Sequence, residues 1–147
     1  MTFNVWTMLK HEYEEFTRGK CPNSNNQQIE SSENQIGLKF SQSFKYFLKY
    51  HQCSAIGEID MGTLNPSESS SSVLWSLPQL DKWFKEEQAW PNIENWIIIS
   101  KSDGDPIGIK PNGEVWISYH DSNFEQEKLA DDFEDFVYKL LTETLWD

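Results

Sequence analysis

Apolar residues in this chain recur first with helical spacing and then with strand spacing. Val5, Leu9, Tyr13 and Phe16 fall on one stripe with Trp6 beside it, which predicts a helix over residues 4–17. A short second helix is expected over 27–35, with Ile29 and Ile36 two turns apart. Asn25 is placed to cap it, Gln28 to return the bond and Gly37 to stop it. Phe40, Phe44, Phe47 and Leu48 have i, i+4, i+7, i+8 spacing, which predicts a third helix over 42–51. Ser76-Leu77-Pro78-Gln79 is a capping-box pattern with Pro in the first turn, where its missing N–H does no harm. The helix it opens puts Leu80, Trp83, Phe84 and Glu87 on one face and should stop before Pro91. Leu129, Phe133, Phe136, Val137, Leu140 and Leu141 form the wide stripe of a last helix. Asp131, Asp132, Glu134 and Asp135 crowd its start, where exposed acids favour the helix dipole by about 0.3–1 kcal/mol each.

Between these helices the period drops to two. Ala55, Gly57, Ile59 and Met61 alternate with Ser54, Glu58 and Asp60, which predicts a strand over 54–61. Trp96-Ile97-Ile98-Ile99-Ser100 reads as a buried central strand, Ser102-Asp103-Gly104-Asp105 as a turn and 106–110 as a strand with Ile107 and Ile109 on one face. In Lys110-Pro111-Asn112-Gly113, Pro presets the first corner and Gly takes the position that needs a positive φ. A strand over 114–120 follows, with Val115, Ile117 and Tyr119 opposite Trp116, Ser118 and His120. The Val115–Ile117 face is the one expected to pack on helices. The polar stretches 19–28 and 65–72 read as surface loops. The pattern gives a single α+β domain over 1–147. Its antiparallel-dominated sheet of about four to six strands is covered by N-terminal helices and a C-terminal helix.

Composition narrows the function. A chain of 147 residues is one ordinary domain and buries about 68–70% of its unfolded surface without disulfides or a structural metal. Seven Trp and nine Phe argue against disorder. Twelve Lys and Arg against 24 Asp and Glu give a net charge of −12. That excess disfavours nucleic acid and anionic membranes and favours a neutral or basic protein partner. The apolar run 96–99 is far short of the roughly 20 residues of a membrane helix. Residues 1–15 lack the pattern of a signal peptide, and Cys21 and Cys53 fit reduced thiols, so a cytoplasmic location is expected.

Candidate chemistry is sparse. His11, His51 and His120 have no second His or Cys within helical reach, and no phosphate loop or nucleophile elbow occurs. No metal or cofactor is expected. His120-Asp121 could be drawn as a base and its orienter, but no nucleophile accompanies it. Asp103-Gly104-Asp105 lacks the far acid of a calcium loop, and ordinary turn chemistry accounts for it. Trp6, Trp83, Trp96 and Trp146 sit near apolar stripes and are expected in the core. Trp75, Trp90 and Trp116 read equally as interface anchors or half-buried lids.

The order of residues resembles a known superfamily. Ile29-Glu30, Glu33, Ile36-Gly37-Leu38-Lys39-Phe40-Ser41, Phe44-Lys45-Tyr46-Phe47-Leu48 and His51 are similar to the entry signature of SUKH proteins. Those include a fungal cell-wall-synthesis regulator and many bacterial immunity proteins. Trp96 to Ser100, Asp103-Gly104-Asp105, Gly113-Glu114-Val115 and Ala130 to Phe136 are similar to its sheet and closing helix. Phe40-Ser41 stands where that family has Leu-Pro, and Gln52-Cys53-Ser54 where it has a Gly-containing turn. The resemblance implies an immunity protein that binds a cognate basic toxin, such as a nuclease, by steric and electrostatic occlusion and without catalysis. The candidate contacts are Glu58, Asp60, Trp75, Glu86, Glu87, Trp90, Asp103 and Asp105. A regulatory or scaffold module is the alternative, and a hydrolase using His120 and Asp121 comes last.

Overall fold

Short apolar runs joined by tight polar turns pair in chain order, because each turn returns the chain beside the strand it has just left. The computed structural model describes residues 5–6, 23–50, 77–86, 90–102, 104–142 and 144–146. Strands β1 (Ile97–Ser102), β2 (Asp105–Ile109), β3 (Val115–Tyr119) and β4 (Glu125–Ala130) form one antiparallel sheet in the order β1-β2-β3-β4. Ser102 stands opposite Asp105 at the first corner, where Gly104 takes φ 85°. At the second corner the Gly113 N–H donates to the Lys110 carbonyl at 2.8 Å with Gly113 at φ 92°. The expected Pro-Asn-Gly turn is therefore formed.

The helices begin and end where capping chemistry puts them. In α1 (Asn26–Ile36), Asn25 and Gln28 exchange backbone-to-side-chain bonds of 2.8 Å. Gly37 closes the helix at φ 83°, its N–H donating to the Glu33 carbonyl. In α2 (Gln42–Tyr50) the Phe44 N–H donates to Ser41 Oγ at 3.3 Å, so Ser41 caps the helix although no proline precedes it. Helix α3 (Leu77–Glu86) packs on α1 and β1. In α4 (Phe133–Leu141) Asp132 accepts the Asp135 N–H at 2.7 Å, and Asp135 accepts the Asp131 N–H at 3.0 Å. The fold is α+β. No helix among the described residues is long and apolar enough to cross a membrane.

Three expectations change. Leu129 belongs to β4 and not to the last helix, which starts at Phe133. Residues 125–130 pair with β3 from Tyr119↔Glu125 to Val115↔Ala130, and the run Glu125-Gln126-Glu127-Lys128 is polar on both faces. That strand carries no period-two signal, and only its pairing reveals it. Trp146 is 38% exposed rather than core. The strand expected over 106–110 is β2, shifted by one residue, and the one expected over 114–120 is the shorter β3, with His120 outside it. The strand expected over 54–61, the Ser76 cap and all but Val5 and Trp6 of the first helix lie outside the described residues.

Strands β1 and β2 are buried on both faces. Ile99, Ile107, Val115 and Ile117 meet Phe44, Phe47, Phe133 and Phe136 from the helices, as the strand periodicity predicts. Phe133 stands edge-on to Phe44 at 5.2 Å and to Phe47 at 5.6 Å, and Trp6 leans on the same cluster. Fully burying each such side chain stabilises the fold by about 1.5–3 kcal/mol. The opposite face is covered by Trp83, Ile93, Trp96 and Ile98, with Trp90 and Trp116 against them. Helix α3 serves both layers, since Leu77 and Leu80 enter the first and Trp83 the second.

Two side chains tie the helical layer together. Glu33 is buried, and its Oε2 accepts the Phe40 N–H at 2.7 Å with Lys45 Nζ 3.6 Å away. Ser32, also buried, donates its hydroxyl to the Asp81 carboxylate, 2.9 and 3.0 Å from its two oxygens, and so links α1 to α3.

Glu33→Ala leaves a buried N–H unpaired, which should lower stability by about 1–3 kcal/mol. Glu33→Gln keeps an acceptor oxygen and should lose less. Equal shifts of the urea midpoint for the two would show that the acceptor is not what matters. Gly108→Ala should cost about 1–3 kcal/mol by overpacking, because its Cβ would stand 3.0 Å from Ile98 Cδ1 and Trp96 Cε3 and 3.1 Å from the Ile97 carbonyl. An unchanged urea midpoint would contradict that reading.

Candidate protein-interaction surface

The chain carries twice as many acids as bases, and among the described residues two groups of acids stand apart. Glu33, Asp105, Asp132 and Asp135 are engaged by backbone N–H groups. Others point outward along one edge. Asp121, Glu125, Glu127, Asp131 and Glu134 are all exposed, and Lys128 is the one base between residues 121 and 134. Among the described residues strand β4 pairs with β3 alone, so this row follows an outer edge of the described sheet. A charged edge also resists pairing with a second chain's strand.

Lys128 does little to neutralise the row, because it is already claimed. Its Nζ lies 2.8 Å from Asp131 and 3.1 Å from Glu114. Those bonds, Asp131 first, raise its pKa above the ordinary lysine range, and the same contact lowers that of Asp131. Glu114 also accepts the Trp116 indole N–H at 3.0 Å. That bond, with Lys128 and Asn112, holds its carboxyl down to about 2. Beside it, the Tyr119 hydroxyl donates to Glu127 at 2.9 Å. Burial and that bond push the phenol up to about 12.

At one end of this edge stands a polar corner. His120 follows β3 and opens a short 3-10 turn (His120–Ser122). The buried Asp105 carboxylate accepts both its backbone N–H, at 2.9 Å, and its ring Nδ1. Nε2 lies 3.0 Å from Asp121. Trp90 covers the corner, donating its indole N–H to Ser118 Oγ at 2.9 Å with its ring edge-on to Phe124 and His120. Phe124 follows Asn123 in the left-handed region, at φ 61° and 57°, a backbone cost of order 1–3 kcal/mol each that the Trp90 contact helps offset.

Of the contacts expected from sequence, the fold brings Trp90 and Asp105 together around His120. Trp90 is half-buried and Asp105 buried. Glu86 ends α3. Glu58, Asp60, Trp75, Glu87 and Asp103 lie outside the described residues. Sequence reasoning missed the β4 carboxylates, because it assigned no strand there, and read the acids from Asp131 onward as helix-start acids. It weighed His120 with Asp121 and missed Asp105, which lies 15 residues earlier. Among the described residues no group of three such side chains is placed to hold a metal ion. An open cavity of about 430 Å³ between α1 and α3 is lined by polar side chains including Gln27, Ser31, Gln35 and Asp81, and His120 is not among them.

The family model described as SMI1 / KNR4 family (SUKH-1) matches residues 24–139. No curated protein and no solved structure matches the chain. The matched span runs from the residue before the Asn25 cap to the last turn of α4. It includes the whole sheet and the acidic edge.

His120 between two carboxylates has its pKa raised above 6.5, chiefly by the bond to Asp105. A raised folded value means that the imidazolium's contribution to stability is fully present below about pH 6.5 and is lost as pH rises through the folded value. The stability gap between the native protein and His120→Gln should therefore widen on acidification and close above that value. An NMR titration of the His120 ring with its midpoint at or below 6.5 would contradict this.

Proposed function

The chain belongs to the SMI1 / KNR4 family (SUKH-1), and from that premise we propose that it is an immunity protein: a non-catalytic module that binds and neutralises a cognate basic protein toxin. The observation that carries the reading is the row of exposed carboxylates along β4 and the start of α4, with its single lysine already paired. Such a row attracts a basic surface over several ångströms of solvent. It can raise association from about 10⁵–10⁶ M⁻¹s⁻¹ towards 10⁸–10⁹ at low salt. Speed matters to an antidote, which must reach its toxin before damage is done.

A toxin that acts on nucleic acid needs a basic groove for its substrate. An acidic protein that fills the groove blocks it by shape and charge, with no bond made or broken. The cytoplasm, where such a toxin would be met, is the proposed location. Glu58, Asp60, Trp75, Glu86, Glu87, Trp90, Asp103 and Asp105 remain within the proposed contact set. Trp90 and Asp105 would act through the His120 corner that they share.

The test begins with the partner that copurifies from the native host. Glu125→Lys together with Glu134→Lys reverses two exposed charges of the row without touching a cap or a buried bond. The association rate at low salt should fall about tenfold, and the difference should shrink as salt screens the field. An acidic partner, or a rate that does not change, would overturn the reading.

A further inference from the structure

The outer face of the sheet holds an arrangement that the acidic edge does not account for. The Lys110 ammonium lies 3.5 Å from the centre of the Trp116 ring and 5.7 Å from that of Trp96. In a chain with a net charge of −12, an ammonium would be expected to find a carboxylate. Among the described residues Lys110 makes no ion pair, and the two indoles are what its charged end meets. Indole faces attract cations through the ring quadrupole, and more strongly when water is excluded.

The pair of rings is held in place before anything binds. Trp116 is fixed by its N–H bond to Glu114, which is itself bonded to Lys128. Trp96 is 7% exposed and packs over Gly108, where a side chain would push it away. Trp116 and Lys110 are half-exposed. The neighbouring carboxylates, Glu114 and Asp131, lower the potential for an incoming cation.

We infer that the Trp96–Trp116 pair is a seat for an arginine side chain of a basic protein partner, occupied in the free protein by Lys110. The inference rests on the proposed binding of a basic toxin and names the chemistry by which the partner is held. Arginine is the occupant that the geometry favours. Its guanidinium is planar, stacks on an indole and is less strongly hydrated than an ammonium. It therefore gains more from the rings than Lys110 loses on leaving them. Lys110, on a flexible stem next to the Pro111 turn, can swing into solvent.

The probe is an acetylated and amidated tri-arginine peptide, followed by the indole N–H signals in NMR. The native protein should show shifts at Trp96 and Trp116. Lys110→Met vacates the seat and should bind the peptide about threefold to tenfold more tightly than Lys82→Met, which removes the same charge from an exposed position on α3. Trp116→Leu should abolish the gain when added to Lys110→Met, and Trp116→Phe, the milder change for folding, should reduce it. Equal affinity for Lys110→Met and Lys82→Met, or unmoved Trp96 and Trp116 signals, would overturn the inference. If a basic toxin binds but Trp116→Phe and Trp116→Leu leave its affinity unchanged, the seat falls and the immunity reading stands. If the copurified partner is acidic while the peptide still seats on Trp116, the toxin reading falls and the cation seat stands.

Discussion

The isoleucine-rich strands β1 and β2 are buried on both faces, so their part of the sheet has to be covered twice, and the rest of this structure follows from that requirement. Strand β2 is buried at each of its five positions, so neither face can be left to water. Bare apolar surface costs about 25 cal/mol per Å². One face is met by phenylalanines on α1-flanking and closing helices, which interdigitate with Ile99, Ile107 and Ile117. The other has a floor lowered by Gly108 and is closed by indoles. A tryptophan suits that place because it covers a wide area and still offers an N–H to a polar neighbour at the rim. Trp90 uses Ser118 in this way and Trp116 uses Glu114.

The acidity of the chain divides along the same line between interior and rim. Glu33 and Asp105 are buried carboxylates that accept backbone N–H bonds, at Phe40 and His120, where the chain changes direction. Asp132 starts the closing helix. Charges of this kind hold the fold and would not steer a partner. Among the described residues the longest run of exposed carboxylates lies beyond His120, on β4 and the approach to α4. Net charge by itself could not have located them. Their concentration on one edge makes a field with a direction, and a directed field is what speeds and orients association.

The Asn25 and Ser41 caps, the Gly37 stop, the Pro-Asn-Gly corner and the helix-facing stripe of the strands were legible in the chain. Each depends on residues within a turn or two of one another, such as Asn25 with Gln28 or Lys110 with Gly113. The SUKH resemblance was legible for the same reason, since its signatures are runs of local pattern. The sequence by itself thus determined the α+β class and the side of the sheet that meets the helices. Only the tertiary structure decided that 125–130 is a strand, since a run polar on both faces becomes β when a neighbour supplies its hydrogen bonds. It also decided that Asp105 holds His120 and that Lys110 lies on Trp116. Those contacts join residues whose spacing follows no helix or strand period, so their meeting is set by register across the sheet.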